Sequence, residues 1–406
     1  MNLPSAIGFQ WSIFSSPKRL TGRCGSSSRF RKNTVSCEND TSSVLLRRSV
    51  LLWLSRLLNK LWLVFALLAP IYWQSAIGQA GEQPTVIDAS ELNYYLYQSF
   101  AAADTTERLR LNHIGMQTEL LDGVYFVSSV LDGYPAHRAG IQRGDRLLTV
   151  NGISFHPVFS FNNTVAAPAG FRANPISYDL ELSRGSDTQA VSVTPVFENL
   201  YDSYRTSSFT SIQEFTVGNK IIGYVHLWSL SRSSNDLIQY QAILNSLSHC
   251  DGIIVDIRDS FGFVAYEHFD ALFPSRSSYF QQTVNGQVQG IGRSNSPRNY
   301  YGKPLAVLQN NNTQGGMELF SYQLSKLQRV ITLGDTTAGL LGDYIPSEQE
   351  ASTELIYLPA VDTLIDGVQF EDEGRTPQEA VDYPITRPSI GDPQYDAALA
   401  ALVGIV

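Results

Sequence analysis

The chain has 406 residues, of which 43% are hydrophobic and 17% are charged, and its formal net charge is −9. This composition excludes collagen-like, wholly disordered and small disulfide-scaffold proteins, and the length suits two or three domains. The first 80 residues carry a net charge of +8 and the rest carry −17. Because an acidic body repels phosphate backbones, nucleic acid is not expected as a partner.

The N-terminal part contains one strongly apolar segment. Residues 61–73 read LWLVFALLAPIYW, with basic residues before them and a small-x-small sequence after them. This arrangement is typical of a secretory signal, so residues 47–80 are predicted to be a signal peptide or, if uncleaved, a membrane anchor through residues 51–73. The acidic body is therefore expected in the periplasm or on the outer face of the inner membrane. Residues 1–46 are interpreted in one of two ways: the start codon was assigned too far upstream, or these residues form a disordered tail.

A helix prediction and a long glycine-rich motif follow. Residues 81–112 carry Leu and Tyr at helical spacing after Ser90, which can cap a helix, and are predicted to be a helical segment that packs on the body. Residues 123–152 read GVYFVSSVLDGYPAHRAGIQRGDRLLTVNG, which indicates strand, turn, short helix, turn and strand. The order of these residues closely resembles a PDZ domain, to which residues 113–198 are assigned.

The PDZ resemblance implies a small β-rich fold with two helices and a function in peptide binding. PDZ domains add a C-terminal or unstructured peptide to a sheet edge and hold its carboxylate in a loop of backbone N–H groups. By resemblance, this loop is Ile114, Gly115 and Met116, where a glycine lets the backbone approach a ligand closely.

From about residue 199, apolar strands alternate with helices. The strands are predicted at residues 220–228, 252–258, 304–309 and 330–333, and the helices at 235–248 and 313–327. Continuous apolar strands that alternate with helices predict a mixed α/β fold whose sheet is buried on both faces.

Four motifs connect this second domain to a known family. They are Ile222–Val225 (IGYV), Asp256–Gly262 (DIRDSFG), Asn310–Glu318 (NNNTQGGME) and Gly334–Gly339 (GDTTAG). With the PDZ motif before them, they resemble the C-terminal processing, or tail-specific, serine protease family over about residues 90–400. The resemblance implies a ClpP/crotonase-like α/β protease core over residues 199–406.

The residues that carry the family's chemistry are replaced in this chain. The family uses a serine nucleophile and a lysine general base, and its pattern N-x-x-[ST]-x-S-x-x-E places Gly315 at the serine while Glu318 is retained. The pattern G-x-x-T-x-G-K places Leu340 at the lysine, and in a related branch of the family the base position corresponds to Met317. Neither position holds a base.

The resemblance assigns the oxyanion region to Gly262 and Gly316. A backbone N–H group can stabilise an oxyanion whichever side chain its residue carries. Four other residues are candidates for a replacement nucleophile or base. Thr313 and His226 are interpreted as structural, and Ser321 and Ser325 lie at least one and a half helical turns beyond the expected site. A serine introduced at Gly315 is expected to leave stability unchanged or slightly raised, because glycine costs about 0.5–1 kcal/mol relative to alanine in a helix.

The sequence therefore predicts an exported, non-catalytic pseudo-protease that binds peptides. Two alternatives stay open: an active serine-type endopeptidase with a variant nucleophile, and a regulatory or structural subunit that pairs with active homologous subunits. Neither a metal nor a cofactor is expected, because the six histidines are scattered and Cys250 is the single cysteine after residue 80.

Overall fold

The computed structural model describes residues 86–102, 105–290, 300–347, 353–386 and 391–406. The predictions for residues 1–46 and 47–80 lie outside the described residues. No helix within the described ranges is long and apolar enough to cross a membrane.

The first half of the described chain is rich in β-structure. In chain order its elements are β1 (Val86–Asp88), α1 (Leu92–Ala101), β2 (Leu111–His113), β3 (Met116–Leu121), β4 (Val124–Val130), α2 (Pro135–Arg138), β5 (Arg146–Val150), β6 (Ile153–Ser154), β7 (Tyr178–Arg184), β8 (Asp187–Val193) and β9 (Val196–Glu198). Strands β3, β4, β5, β7 and β8 form one antiparallel sheet in that order, and β6 pairs with β5. Strand β3 is therefore an edge strand.

The PDZ region differs from the prediction in its helices. It contains one α-helix of four residues, α2, and a 3-10 turn at Pro168–Gly170, so the expectation of two helices is wrong for the described residues. Three prolines between residues 157 and 175 explain the difference, because proline removes a backbone donor and disfavours helical backbone in the residue before it.

The second half of the chain holds the larger sheet. Its elements are α3 (Leu200–Thr210), β10 (Gln213–Val217), β11 (Lys220–His226), β12 (Ser229–Leu230), α4 (Ser234–Ser246), β13 (Gly252–Asp256), β14 (Phe261–Gly262), α5 (Tyr266–Asp270), β15 (Gln282–Val284), β16 (Gln287–Val288), β17 (Leu305–Gln309), α6 (Gly316–Ser325), β18 (Val330–Gly334), β19 (Asp343–Pro346), β20 (Glu354–Leu358), β21 (Thr363–Ile365), β22 (Val368–Gln369), β23 (Glu379–Ala380) and α7 (Pro393–Ile405).

The main sheet has the strand order β10-β11-β13-β17-β18-β23, parallel except for β10. Alternate residues of its strands enter two different apolar clusters: Val255 and Val307 face one, while Ile254 and Ala306 face the other together with Leu402 of α7. The sheet is thus buried on both faces, as the apolar strands predicted.

Local sequence signals fix where several helices begin. Asn199, Ser233 and Asp392 each accept a hydrogen bond from a backbone N–H of the first turn that follows, which starts α3, α4 and α7. Helix α6 begins at Gly316, three residues after the predicted start, because residues 310–315 form the loop that leaves β17.

The N-terminal segment contains strands besides its helix, and the helix packs on the body as predicted. Strand β1 pairs with β20, and the side chains of α1 belong to an apolar cluster with residues of the second half, including Trp228 and Phe261. Strand β2 pairs with β9 at the base of the PDZ region. The segment predicted as 81–112 therefore joins the two halves.

Candidate functional site

The two substituted dyad positions are neighbours. The Gly315 N–H donates a hydrogen bond of 2.9 Å to the Leu340 carbonyl oxygen, and the Leu340 N–H donates one of 2.9 Å to Oε1 of Glu318. The loops after β17 and β18 bring these residues together because neighbouring parallel strands end at the same edge of the sheet. The sequence prediction had placed Gly315, Leu340 and Glu318 at one location, and they lie together.

Gly315 has a backbone conformation that strongly favours glycine. It precedes α6 with φ +64° and ψ −134°. A Cβ built on it would lie 3.0 Å from the carbonyl oxygen of Gly262 and 3.6 Å from the Phe261 ring. The expectation that a serine here leaves stability unchanged or slightly raised is therefore wrong, because Gly315 lies outside the helix interior and in the left-handed region.

Aromatic rings occupy the space beside Gly315. The Phe261 ring packs edge-on against Tyr97 of α1 at 4.7 Å between centroids, and Tyr97 stacks on Tyr344 at 3.8 Å. The Tyr97 hydroxyl also donates a hydrogen bond of 2.8 Å to Oε1 of Gln314, the residue before Gly315. Leu340 packs against this same cluster. The surroundings of the two positions are thus filled by the protein's own side chains.

Glu318 organises the loop that follows β18. Its fully buried carboxylate accepts hydrogen bonds from the Thr337 hydroxyl at 2.6 Å, the Gly339 N–H at 2.7 Å and the Leu340 N–H at 2.9 Å. Burial raises the pKa of Glu318, and these hydrogen bonds oppose the rise. The retained glutamate therefore has a structural task that does not need a serine.

The second base candidate lies elsewhere. The Met317 side chain is fully buried in the cluster that contains Val255 and Phe320, whereas Leu340 packs with Phe261 and Tyr97. Of the two vacated base positions that the sequence offered, the structure brings only Leu340 into backbone contact with Gly315.

The predicted oxyanion residues lie beside the same loop. Gly262 presents its carbonyl oxygen to the space above Gly315, and a Cβ on Gly316 would lie 2.8 Å from that oxygen and 2.4 Å from the Val264 nitrogen. A carbonyl oxygen repels negative charge, whereas an oxyanion pocket requires donors that point at the developing charge. In this conformation the position that faces Gly315 is an acceptor.

The four residues weighed as replacements have internal partners. Thr313 donates to the Ile257 carbonyl at 2.9 Å, Ser321 to Oε1 of Gln309 at 2.5 Å, Ser325 to the Tyr322 carbonyl at 2.8 Å, and Nε2 of His226 lies 2.8 Å from the Arg258 carbonyl. Ser321 and Ser325 line a separate cavity of about 530 Å³ that has no lysine or histidine among its described lining residues. That lining therefore offers no lysine or histidine base, and its one carboxylate is that of Glu373.

One serine–histidine contact escaped the sequence analysis. Ser203 of α3 lies 3.2 Å from Nε2 of His113 and 3.1 Å from Oε2 of Glu198. The Gly115 N–H donates to Nδ1 of His113 at 3.2 Å, so Nε2 carries the ring proton and donates to the serine oxygen. This direction is the reverse of a nucleophile activated by a base. The separation of 90 residues left no local signal by which to find the contact.

The predicted carboxylate loop is covered. Ile114 and Met116 are 2% and 7% exposed, and Gly115 is buried. The Tyr134 ring lies over Gly115, since a Cβ added to Gly115 would be 2.7 Å from Cγ and 3.0 Å from Cδ1 of Tyr134. The Tyr134 hydroxyl donates a hydrogen bond of 2.8 Å to Glu198. A peptide carboxylate would reach the loop only after Tyr134 moves, and the assignment of residues 114–116 as a peptide site stays a prediction.

Three potential metal ligands also meet on the surface. Among the described residues, ligand atoms of Glu214, His249 and Cys250 lie within 4.8 Å of one another. Glu214 and His249 are exposed and 3.1 Å apart, so they already form a hydrogen-bonded pair. His249 and Cys250 are adjacent in the sequence, whereas Glu214 lies on β10, 35 positions before His249. The spacing of histidines along the chain therefore could not reveal that the three lie close together.

Comparisons with known proteins bear on both halves of the chain. Residues 221–381 match peptidase family S41, and residues 126–167 match the PDZ domain. The chain is 26% identical over 296 residues to the carboxyl-terminal-processing protease of Synechocystis sp., a match that covers 68% of this chain and 65% of that protein. It is 24% identical over 291 residues to the carboxy-terminal processing protease CtpA of Bacillus subtilis, covering 69% and 58%. The chain thus spans less than two thirds of these relatives.

A solved structure supports the fold. A crystal structure assigned to the S41 proteases, from Bacteroides fragilis, has a TM-score of 0.50 and 16% identity, and covers 73% of this chain and 84% of that one. The mixed α/β fold with a PDZ domain before an S41 peptidase core is thereby confirmed. The chain is a PDZ-containing member of the C-terminal processing protease family and a homologue of serine-type peptidases.

Proposed function

We propose that this protein is a non-catalytic member of its family that binds C-terminal or unstructured peptides without cleaving them. The observation that carries the proposal is the pair Gly315 and Leu340, which meet at the expected dyad location with neither a nucleophile nor a base. The aromatic packing of Phe261 against this location adds support. Peptide binding is inferred from the PDZ domain.

The apolar segment within residues 47–80 supports export as part of the same proposal. The protein would then act in the periplasm or on the outer face of the inner membrane. Pairing with active homologous subunits is a second way in which a peptide-binding pseudo-protease could act.

The test is turnover. We expect no cleavage of casein above background and no labelling by a serine-directed fluorophosphonate, because removal of the nucleophile lowers turnover on the order of 10⁶-fold in serine proteases. Peptide binding is measured in parallel by calorimetry. Labelling of the wild-type protein that disappears when Thr313, Ser321 or Ser203 is changed to alanine would refute the pseudo-protease and support a variant nucleophile.

A further inference from the structure

A polar cavity of about 190 Å³ lies where the PDZ sheet meets the carboxyl ends of the main-sheet strands. The PDZ region contributes Ser129, Asp132 and Arg143 to its lining, and the core contributes Asp259 and Asp335. The core residues meet here because parallel strands end at one edge, which is where open α/β sheets bind ligands. The volume is several times the roughly 30 Å³ that one water molecule occupies in the liquid, so a side chain fits.

The cations of this cavity already have partners from the same chain. Arg258 binds Asp256 at 2.5 Å and Asp392 at 2.7 Å. Both terminal nitrogens of Arg143 donate to carbonyl oxygens, those of Ser128 and Tyr383, at 2.8 Å each. An anionic ligand would therefore have to compete with bonds that the chain itself makes.

Three carboxylates of the lining lack such compensation. Asp132, Asp259 and Asp335 each accept a hydrogen bond from a neutral side chain: Trp228 Nε1 at 3.2 Å, Asn312 Nδ2 at 2.9 Å and Gln394 Nε2 at 3.1 Å. No ion pair links any of the three to a lysine or arginine in the described part of the chain. The lining thus has five aspartates, Asp132, Asp256, Asp259, Asp335 and Asp392, against two arginines that already have partners in the chain, and this excess of negative charge favours a positive occupant.

Two further polar groups in the lining have no hydrogen-bond partner. The Ser129 hydroxyl is buried without a hydrogen-bond partner, and Ser129 is only 8% exposed. Arg143 Nε is also buried and unpartnered. Buried polar groups are nearly always hydrogen-bonded in native proteins. A peptide can supply partners for both groups, because its backbone carbonyl oxygens accept hydrogen bonds from an Nε–H and from a hydroxyl, while a cationic side chain reaches the carboxylates.

A single metal ion fits this cavity less well than an organic cation. In the described ranges, the one group of three candidate ligands whose atoms lie within 4.8 Å of one another is Glu214, His249 and Cys250, outside the cavity. The cavity carboxylates are thus too far apart to coordinate one ion together, whereas an ammonium or guanidinium group can hydrogen-bond to acceptors in several directions.

We propose that this cavity binds the cationic side chain of a lysine or arginine in the peptide that the protein captures. The inference rests on the proposed peptide-binding function and names the residue type that the protein selects. Recognition would come from Asp132 on the PDZ side and from Asp259 and Asp335 on the core side, so that one peptide residue contacts both domains.

The test compares matched peptides against the full-length protein by calorimetry. The peptides are unstructured and identical except for one central residue, which is lysine, arginine, norleucine or acetyl-lysine. We expect the lysine and arginine peptides to bind about tenfold more tightly than the two neutral ones, because close charge pairs at interfaces are strongly coupled. Added salt should reduce this preference.

Aspartate variants test whether the preference for a cationic peptide residue arises in this cavity. Asp335→Asn and Asp132→Asn keep an acceptor oxygen for Gln394 and Trp228 but remove a charge, so the preference for lysine should fall severalfold in each. Asp187→Asn, on exposed strand β8, removes the same charge elsewhere and should keep the preference. Circular dichroism checks that the variants are folded, and the comparison of peptides on the wild-type protein requires no variant.

The outcomes separate the two proposals. Equal affinity for the lysine and norleucine peptides would overturn the cation site and leave peptide binding intact. If no peptide binds, peptide capture is refuted, and the cation site is then tested with Nα-acetyl-lysine amide against its norleucine analogue. Preference for the charged amide that Asp335→Asn removes would support the site, whereas equal or absent binding of both amides would overturn it.

Discussion

Gly315 shows how one residue can determine both chemistry and backbone geometry. Its φ of +64° lies where residues with a Cβ are strained, and the carbonyl oxygen of Gly262 lies 3.0 Å from the position of an added Cβ. We therefore expect Gly315→Ser to lower the free energy of unfolding by about 1–3 kcal/mol, the usual cost of a sparsely populated backbone conformation.

Equilibrium urea unfolding measures this prediction. Gly290→Ser makes the same chemical change at an exposed glycine with open space around it, and should alter stability by less than about 0.5 kcal/mol. If Gly315→Ser unfolds at the same urea concentration as the wild type, the conformation at Gly315 does not require glycine.

Strand β3 and helix α2 determine whether the PDZ domain can accept a peptide. Strand β3 is an edge strand, which is the geometry that strand addition needs. However, Tyr134, directly before α2, covers Gly115 at the start of this edge and is tied to Glu198. A peptide carboxylate could reach residues 114–116 only in molecules whose Tyr134 has moved. The apparent affinity of the protein for the peptide would then be reduced in proportion to the fraction of such molecules.

We expect Tyr134→Ala to tighten the binding of a peptide with a free apolar C-terminus by about tenfold, or about 1.4 kcal/mol. Amidation of the peptide should weaken binding to this variant, because the carboxylate loses its backbone N–H partners. Tyr134→Phe keeps the ring and loses the hydroxyl with its hydrogen bonds, including the one to Glu198, so its effect should be smaller. Calorimetry that gives equal affinities of Tyr134→Ala for the acid and the amide would exclude residues 114–116 as the carboxylate site.

At the scale of the whole molecule, buried histidines make stability depend on pH. Burial lowers the pKa of His113 and of His268 to about 4, from about 6.5 in an unfolded chain. The unfolded chain thus binds more protons below pH 6.5, so the stability contributed by each neutral histidine is complete above pH 6.5 and is lost as the pH falls towards 4. The loss is on the order of 3 kcal/mol for each histidine.

Urea unfolding between pH 7 and pH 4.5 tests this expectation. His113→Gln should flatten the decrease of stability with falling pH, but by less than half relative to the wild type, because burial lowers the pKa of His268 and of His156 as well. His137→Gln, at an exposed position, should leave the slope unchanged. The pKa of Glu318 is raised, so its contribution has the opposite sign and is lost as the pH rises above 4.5, but it is common to all three proteins. An unchanged slope in His113→Gln would show that this histidine does not titrate on unfolding.

The PDZ motif, the apolar strands at 220–228, 252–258, 304–309 and 330–333, and the two helices between them could be predicted from the sequence, as could the substitution of the dyad positions 315 and 340. Strand periodicity, glycine-rich turns and short motifs are local signals, and a glycine at position 315 supplies no nucleophilic side chain at that position in any fold. Contacts between distant residues could not be predicted from the sequence. Tyr97 contacts Gln314, 217 positions away, and His113 contacts Ser203, 90 positions away. Those contacts, the position of Tyr134 over Gly115 and the acidic cavity between the domains depend on how distant segments pack. Such packing leaves no periodic pattern in the sequence, so it could be seen only in the folded structure.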